Sequence, residues 1–397
     1  MKSTEFSRRD LLKKGGLSLL TLALMPNDIW SANVIEAQKS NSPFLYSSKN
    51  TFNEFTPPIL NEVEDSLVIL RANENPYGPP PEAAKAFQEE VFNGNRYAWK
   101  SLKELEAKIV KNEGVTPDQI LMGPGSSDLL EKVAMVFFSE GGNVVSADPS
   151  YMSLIVVAKS VGGEWKSYKL LEDSQHDLDA MEAGVDENTK LVYICNPNNP
   201  TGSITDAKKL KEFCRRVSKK VPVFVDEAYI ELSKNGIKDS MNSLVAEGEN
   251  VIVARTFSKI HGMAGLRIGY VIGKKETLER ISEITRGGMG ITGPTIAAAS
   301  KSLDNDAFLI DCKAKITEAR DYTMAYLKSK NFSYLPSETN FIIFEISMDG
   351  EKFLEQMYSK KVAVRAFKFW DKNWCRVSIG TLDEMKAFTN AITEVFA

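Results

Sequence analysis

A lysine and an arginine lie eight positions apart in the stretch TFSKIHGMAGLRIGY, residues 256–270, among small and apolar neighbours. Lys259 stands on a turn of small residues, and Arg267 follows the glycines Gly262 and Gly265, which allow a tight turn. A lysine amine can do covalent or acid-base chemistry, whereas a guanidinium stays charged and binds anions. The stretch therefore raises the question of what these two cations bind.

Polar residues follow several other apolar runs, at the positions where open α/β sheets bind ligands. In GPGSSD, residues 123–128, Ser126 and Ser127 could cradle a phosphate at a helix start or simply cap the helix. In CNPNNPTG, residues 195–202, neighbouring prolines fix the backbone and would aim the carboxamide of Asn199. Asp226 ends the apolar run of VFVDEAY, where burial of a lone carboxylate requires a cation, unless the residue caps a helix.

The composition argues against several classes of function. The formal net charge of -4 and the pI near 5.6 leave no domain-wide basic field for nucleic acid or an anionic membrane. Two histidines and four cysteines are scattered without CxxC or HExxH spacing, so no metal site is expected. The cysteines show no disulfide framework, and we expect buried, reduced thiols.

Short apolar runs alternate with helical stretches between about residues 85 and 300, which is typical of an α/β domain with a mostly parallel sheet. One of the helices, SLKELEAKIVK, places Leu102, Leu105 and Ile109 on a single face. Residues 66–84 and 301–397 are predicted to form a smaller α+β domain. Residues 33–65 are polar, contain Pro57 and Pro58, and indicate a linker with an N-terminal arm.

The motifs NENPYGP, GPGSSD, DPSY, CNPNNPTG, VDEAY, TFSKIHGMAGLR and CRVSIGT occur in this order. The series resembles that of the pyridoxal-phosphate aminotransferases of fold type I, class I/II, and most of all the histidinol-phosphate aminotransferase-like branch. The resemblance runs from about residue 66 to the C-terminus. It implies a large domain with a mostly parallel seven-stranded sheet that binds pyridoxal 5'-phosphate, and a smaller α+β domain.

The resemblance also implies the catalytic roles. Lys259 would carry the cofactor aldehyde as a Schiff base and, once displaced, would move a proton as a base of lowered pKa. Asp226 would pair with the pyridine nitrogen and keep it protonated, which makes the ring an electron sink. Tyr229 and Asn199 would hydrogen-bond the ring 3' oxygen. Tyr151 would stack on the ring.

The remaining site residues follow from the same motifs. The cofactor phosphate would be held by Ser126, Ser127, Ser258 and Arg267, and by Tyr97 from the partner subunit of a homodimer with shared active sites. Ala98 stands where the family usually has a proline after this tyrosine. The substrate is expected to contact Arg376 through its carboxylate or phosphate, a second arginine, Arg365, and the neighbouring Asn75, Tyr77 and Asn340.

The N-terminal residues 1–32 are predicted to be a signal peptide. SRRDLLK, residues 7–13, precedes an apolar run over 15–25 and resembles a twin-arginine export signal, in which Leu11 stands where phenylalanine is usual. We therefore expect a periplasmic protein, or a cytoplasmic one if the leader does not function. Because histidine biosynthesis is cytoplasmic, histidinol phosphate is not the expected physiological substrate of an exported enzyme.

The function expected from the resemblance is transfer of an amino group between an amino acid, or an amino-acid-like phosphate, and a 2-oxo acid. One alternative is decarboxylation of a phosphorylated amino acid, as in the related threonine-phosphate decarboxylases. The other is a non-catalytic protein that keeps the fold and the cofactor. The amino donor and acceptor are not specified by the motifs.

Overall fold

The computed structural model describes residues 53–55 and 66–397. The predicted signal peptide, residues 1–32, lies outside the described residues, as does the predicted linker and arm except for Asn53–Phe55. Among the described residues, no helix is long and apolar enough to cross a membrane.

The chain alternates strands and helices. The strands are β1 (Asn53–Glu54), β2 (Val68–Ile69), β3 (Ile120–Gly123), β4 (Asn143–Asp148), β5 (Glu164–Lys169), β6 (Thr189–Cys195), β7 (Val223–Asp226), β8 (Val251–Thr256), β9 (Gly269–Ile272), β10 (Tyr334–Leu335), β11 (Phe341–Ile346), β12 (Val362–Ala363), β13 (Arg365–Phe369) and β14 (Lys372–Ser378). The α-helices are α1 (Pro81–Glu90), α2 (Trp99–Glu113), α3 (Ser126–Phe138), α4 (Ser153–Ser160), α5 (Leu178–Ala183), α6 (Ala207–Val217), α7 (Asn242–Ala246), α8 (Lys275–Ser282), α9 (Gly293–Ser302), α10 (Asp306–Ser329), α11 (Gly350–Ser359) and α12 (Leu382–Val395).

The predicted large sheet has seven strands in the order β3-β9-β8-β7-β6-β4-β5. Neighbouring strands are parallel except where β9 pairs antiparallel with β3 and β8. The central strands β6, β7 and β8 are buried along almost their whole length because helices cover both faces, which explains their continuous apolar sequence. The prediction of an α/β fold with a mostly parallel seven-stranded sheet is confirmed.

The buried side chains form two sets, one around each sheet, and the second set also takes in Ala228, Tyr229, Leu232 and Ile260 from the predicted large domain. The first packs around the large sheet and includes Val223, Val253 and the helix face Leu102, Leu105 and Ile109, as predicted for α2. The second packs around a five-stranded antiparallel sheet of order β1-β13-β14-β11-β10, against α10, α11 and α12. Strand β2 pairs in parallel with β12. The domain boundaries themselves stay a prediction.

A fully buried arginine supports the loop that follows β7. Arg255, in β8, has its guanidinium nitrogens 3.1 Å from Glu227, 3.0 Å from Glu231 and 3.6 Å from Glu113. Burial raises the pKa of Glu227 to about 7, and the charge of Arg255 opposes that rise. Since a buried charge that loses its partner is strongly destabilising, this cluster holds the segment that begins at Asp226 against the large sheet.

Candidate active site

Lys259 lies in the loop between β8 and β9, with its amine turned towards the segment after β2. Its Nζ donates a hydrogen bond to the carbonyl of Asn73 at 3.0 Å and lies 5.3 Å from the centre of the Tyr229 ring. Burial, together with the charge of Arg376, lowers the pKa of the amine to about 8, although Glu74 and Asp226 oppose the shift. The neutral amine is therefore accessible near neutral pH, as a base or nucleophile requires.

The loop that carries Lys259 packs closely against residues 75–79. Gly262 has φ of +65°, and a Cβ there would lie 2.0 Å from the carbonyl oxygen of Gly78. Asn75 joins the two segments, because its Nδ2 donates to the carbonyl of Ile260 at 2.8 Å. The turn therefore requires glycine at 262, both for the backbone angle and for the close approach.

A cavity of about 300 Å³ adjoins this contact, lined in part by Glu74, Asn75 and Ser378. The Oδ1 of Asn75 also accepts the N–H of Tyr77 at 3.0 Å. The ring of Tyr77 lies 5.2 Å from the Nζ of Lys315 and packs with the second core. Asn75 thus lies beside the cavity, whereas Tyr77 packs with the second core, and contact of either residue with substrate stays a prediction.

Asp226 is the last residue of β7 and is buried. Its Oδ1 accepts the N–H of Ala228 at 3.2 Å, and its Oδ2 accepts the hydroxyl of Tyr193 at 3.3 Å. Desolvation raises the pKa of the carboxyl to about 6, and these hydrogen bonds together with Lys259 oppose that rise. A cation placed next to this buried carboxyl group would stabilise its charged form and lower its pKa.

A chain of hydrogen bonds joins Tyr229 to Arg376. The Tyr229 hydroxyl accepts from Nδ2 of Asn73 at 3.1 Å and from Nδ2 of Asn199 at 3.3 Å. The Oδ1 of Asn199 accepts from Nη1 of Arg376 at 2.7 Å, and Nη2 of Arg376 donates to the carbonyl of Arg71 at 3.2 Å. Burial raises the pKa of Tyr229, and Arg376 opposes that rise. The predicted ring contacts and the predicted substrate arginine thus share one network.

The start of α3 forms a cradle for an anion. Ser126 opens the helix after Gly125, whose φ is +96°, and a Cβ on Gly125 would lie 2.2 Å from Nη2 of Arg267. The guanidinium therefore rests directly on the helix start. Its Nη1 donates to the hydroxyl of Ser258 at 3.4 Å and to the carbonyl of Ala264 at 3.0 Å. Helix N–H groups, hydroxyls and a guanidinium are the groups that bind phosphate.

Tyr151 belongs to the same cradle. Its hydroxyl lies 3.3 Å from the Oγ of Ser127, the second residue of α3, and accepts from Ser153 at 3.1 Å. These contacts place the Tyr151 ring next to the helix start. Stacking of the ring on a cofactor stays a prediction.

Asn340 follows β10 and its amide contacts the segment after β2. Its Nδ2 donates to the carbonyls of Asn73 at 3.0 Å and Glu74 at 3.2 Å, and its backbone carbonyl accepts from Ile379. The same carbonyl of Asn73 accepts from Lys259. Asn340 therefore supports the backbone around the lysine, and contact with substrate stays a prediction.

Two further predicted residues, Tyr97 and Arg365, lie apart from both the Tyr229–Arg376 network and the cradle. Tyr97 is 81% exposed, and its ring lies 5.7 Å from that of Trp99. Arg365 stands next to Arg376 in strand register, but its Nε lies 2.8 Å from Oε1 of Glu54. The exposed position of Tyr97 is suitable for contact with a partner subunit. Arg365 already forms an ion pair with Glu54 of its own chain.

The sequence interpretation missed three residues of the site. Asn73 contacts both Lys259 and Tyr229, and its φ of +54° lies in the left-handed region that asparagine tolerates. Asn73 stands within the quoted motif NENPYGP, which could have revealed it. Tyr193 interrupts an apolar strand with a hydroxyl, a weak signal. Glu54 stands in a polar stretch that carries no signal.

In the part of the chain that the structure describes, no group of three or more histidine, cysteine, aspartate or glutamate side chains is arranged to hold a metal ion. All four cysteines fall in this part and are buried free thiols, as predicted.

Comparison with known proteins identifies the family. The sequence model of the family aminotransferase class I and II matches residues 65–392. Histidinol-phosphate aminotransferase 1 of Bacillus cereus is 34% identical over 330 residues, which make up 83% of this chain and 89% of the relative. The crystal structure of histidinol-phosphate aminotransferase from Sinorhizobium meliloti in complex with pyridoxal-5'-phosphate has a TM-score of 0.74 and 27% identity, and the match covers 82% of this chain and 90% of that chain.

A third likeness bears on the fold alone. The L-threonine-O-3-phosphate decarboxylase from Porphyromonas gingivalis has a TM-score of 0.72 at 19% identity, and the match covers 83% of this chain and 99% of that chain. The predicted resemblance to class I/II aminotransferases of the histidinol-phosphate aminotransferase-like type is confirmed by the family model and the relatives, and with it the prediction of an enzyme. The chain belongs to the aminotransferase class I and II family.

Proposed function

We propose that this aminotransferase transfers an amino group between an α-amino acid and a 2-oxo acid in two half-reactions, as a homodimer whose subunits share their active sites. The observation that carries the proposal is the convergence of four groups. The amine of Lys259, the carboxylate of Asp226, the side chains of Tyr229 and Asn199, and the cradle at the start of α3 lie at the carboxyl ends of strands of the large sheet or in the loops that follow them. Arg376, within β14 of the small sheet, joins them through its hydrogen bond to Asn199.

The cofactor is pyridoxal 5'-phosphate, and the described residues fit it. The cradle of Ser126, Ser127, Ser258 and Arg267 would hold the phosphate, since Gly125 leaves the guanidinium room at the helix start. Asp226, whose raised pKa calls for a cation, would hold the pyridine nitrogen. Tyr229 and Asn199 would hold the ring oxygen. When bound, the cofactor supplies an aldehyde that accepts the amino group and a ring that withdraws electrons.

Two residues of this chain would carry out proton transfer and substrate orientation. A Lys259 amine with a pKa of about 8 is neutral in roughly a tenth of molecules at pH 7, far more than an ordinary lysine, so it can take a proton from the substrate carbon and return it. Arg376, which is 4% exposed, can bind a carboxylate through two parallel hydrogen bonds and so fix the orientation of the substrate. The orientation decides which bond is broken.

Decarboxylation of a phosphorylated amino acid is the second candidate. The decarboxylase from P. gingivalis shares the fold, but its identity of 19% supports no more than that. The relatives named histidinol-phosphate aminotransferase favour amino transfer. The two reactions differ in whether the carboxylate that Arg376 would bind is kept or lost.

A panel of amino donors tests the proposed reaction. We expect the holoenzyme to convert α-amino acids into 2-oxo acids with no release of carbon dioxide, while the absorbance of the cofactor shifts to that of its amine form. We expect poor turnover of histidinol phosphate, because the leader that resembles an export signal would remove the enzyme from histidine biosynthesis. Release of carbon dioxide without a 2-oxo acid would establish the decarboxylase instead, and efficient turnover of histidinol phosphate would contradict the export-based expectation.

Shared active sites are supported by the surface around Tyr97. Phe92 is 89% exposed and Tyr97 81%, and Trp99, whose ring lies 5.7 Å from that of Tyr97, is also exposed. Apolar and aromatic groups exposed in this way are common at subunit interfaces. Tyr97 could therefore reach the phosphate cradle of a second copy.

Subunit mixing tests this arrangement. Lys259→Ala and Tyr97→Ala chains, each weakly active alone, are expected to regain about a quarter of wild-type activity after mixing, because half of the dimers are hybrids with one intact site. Activity is measured after exchange, and hybrid formation is verified by native mass spectrometry. Hybrids that form without any gain in activity would show that Tyr97 does not act across the interface.

A further inference from the structure

Glu54 lies on the same face of the small sheet as the two arginines. Strand β1 pairs antiparallel with β13 so that Glu54 stands opposite Phe367, and β13 pairs with β14 so that Arg365 stands opposite Arg376. Residues directly opposite in antiparallel strands share a face, as do alternate residues of one strand. The guanidinium of Arg376 lies 5.2 Å from the centre of the Phe367 ring, which agrees with this placement.

The carboxylate of Glu54 is committed to Arg365. Its Oε1 lies 2.8 Å from Nε of Arg365, and the Glu54 side chain is only 13% exposed, whereas that of Arg365 is 41% exposed. Arg376 is buried deeper and bonded to Asn199. The face therefore presents two guanidinium groups and one carboxylate, which leaves one positive charge in excess among these three side chains.

Residues 53–55 also contact the small sheet independently of the Glu54–Arg365 ion pair. The backbone N–H of Phe55 donates to the carbonyl of Ala366 at 3.0 Å, a contact that involves no side chain. The Phe55 ring packs on Gly350, where an added Cβ would lie 2.1 Å from the ring. The Glu54–Arg365 ion pair can therefore serve a role beyond the attachment of residues 53–55 to the sheet.

We propose that Glu54 determines substrate specificity by neutralising Arg365, so that the site selects amino acids with an uncharged side chain over dianionic substrates. The inference rests on the proposed function, because Arg376 must be the group that binds the α-carboxylate. A second carboxylate or a phosphate on the substrate would have to displace Glu54 from Arg365. It would also be repelled by Glu54 at short range.

Replacement of Glu54 by glutamine keeps the shape of the side chain and removes its charge. In the holoenzyme, Glu54→Gln is expected to tighten the binding of maleate, a dicarboxylate that does not react, by about 5- to 10-fold, because Arg365 becomes free to bind its second carboxylate. Binding of 4-methylpentanoate, a monocarboxylate, is expected to change by less than about 2-fold. Isothermal titration calorimetry measures both, and kcat/KM for glutamate against leucine should shift in the same direction.

Two variants serve as controls. Glu345→Gln removes another carboxylate of the same sheet, which is paired with Lys372 at 2.7 Å, and should leave the ratio of the two affinities unchanged. In an Arg365→Met background, Glu54→Gln should no longer change the affinity for maleate, since its effect passes through Arg365. Glu54→Asp, which keeps the charge, should restore most of the wild-type preference.

The outcomes separate this inference from the function on which it rests. If Glu54→Gln left the affinity ratio unchanged, or weakened both ligands in parallel, the specificity role would be refuted while amino transfer by the wild type stood. If the wild type transferred no amino group from any donor, the proposed function would fail first, whatever the binding data.

Discussion

Replacement of Lys259 by alanine is expected to lower turnover with every amino donor by at least about 10³-fold, since the variant loses both its attachment to the cofactor and the base that moves the substrate proton. No other lysine acts on this amine among the described residues that influence its pKa. The amine contacts the carbonyl of Asn73 and faces the ring of Tyr229, and the charges of Arg376, Glu74 and Asp226 act on it. Asp226 is held by Ala228 and Tyr193 in its predicted contact with the ring nitrogen. A carbonyl cannot take up a proton at neutral pH, and an arginine stays protonated.

Lys313→Ala is the matched control. Burial lowers the pKa of Lys313 as it does that of Lys259, and its amine likewise donates to a backbone carbonyl, that of Ser233. A Lys313 variant should keep turnover within about 3-fold, as expected for a change away from the site. Comparable losses in both variants would show that the Lys259 effect comes from the loss of a buried lysine rather than from chemistry.

The pH dependence of cofactor uptake gives a second measurement on Lys259. The wild-type protein freed of cofactor should take up pyridoxal phosphate faster as the pH rises through about 8, because attachment needs the neutral amine. With a lysine of ordinary pKa, the rate of uptake would rise only at pH values above 10. Uptake is followed by the absorbance of the bound cofactor, and a midpoint near 10 would contradict the lowered pKa.

The order and type of the main elements could be predicted because the sequence is locally consistent. Strands β6, β7 and β8 are short and continuously apolar since both faces of a parallel sheet are buried, and the polar residues at their ends stand out against that background. Asp226 and Asn199 were recognised in this way. Their roles came from the resemblance to aminotransferases, because a polar strand end predicts a ligand without specifying which one.

Contacts between distant parts of the chain could not be predicted from the pattern. The ion pair of Glu54 with Arg365 depends on the pairing of β1 with β13. A strand of two residues in a polar stretch is too short to show a periodic pattern of apolar residues in the sequence. Likewise, Tyr193 reaches Asp226 because β6 and β7 are neighbours in the sheet. The role of Tyr97 depends on a second subunit. Such features follow from strand order and assembly, which side-chain periodicity does not encode.

Asp226→Asn is expected to reduce kcat by at least about 10²-fold, because the amide keeps the shape of the carboxylate but cannot stabilise a protonated ring nitrogen. Tyr193→Phe separates charge from geometry. It removes the hydroxyl that donates to Oδ2 of Asp226 and keeps the negative charge, so its loss in kcat should stay within about 10-fold. Steady-state kinetics with the best donor of the panel measures both variants. A larger loss in Tyr193→Phe than in Asp226→Asn would assign the effect to positioning instead of charge.

Asp226→Asn should also stabilise the protein from which the cofactor has been removed. Burial raises the pKa of Asp226 from 3.8 to about 6 in the folded state. The contribution of this group to the unfolding free energy is therefore fully present below pH 3.8 and is lost as the pH rises through about 6. Asparagine carries no such penalty. At pH 8 the cofactor-free Asp226→Asn protein is therefore expected to exceed the wild type in unfolding free energy by up to about 3 kcal/mol, with the difference vanishing near pH 4.

Urea unfolding of the two cofactor-free proteins at pH 4 and pH 8 measures the difference. A carboxylate that served only to cap the segment after β7 would give the opposite sign, because its loss would destabilise the fold at pH 8. Lower kcat together with higher stability would identify Asp226 as a charge that the folded chain holds at a cost in stability, until the ring nitrogen of the cofactor neutralises it. The sign of the stability change thus decides between the two interpretations that the sequence left open.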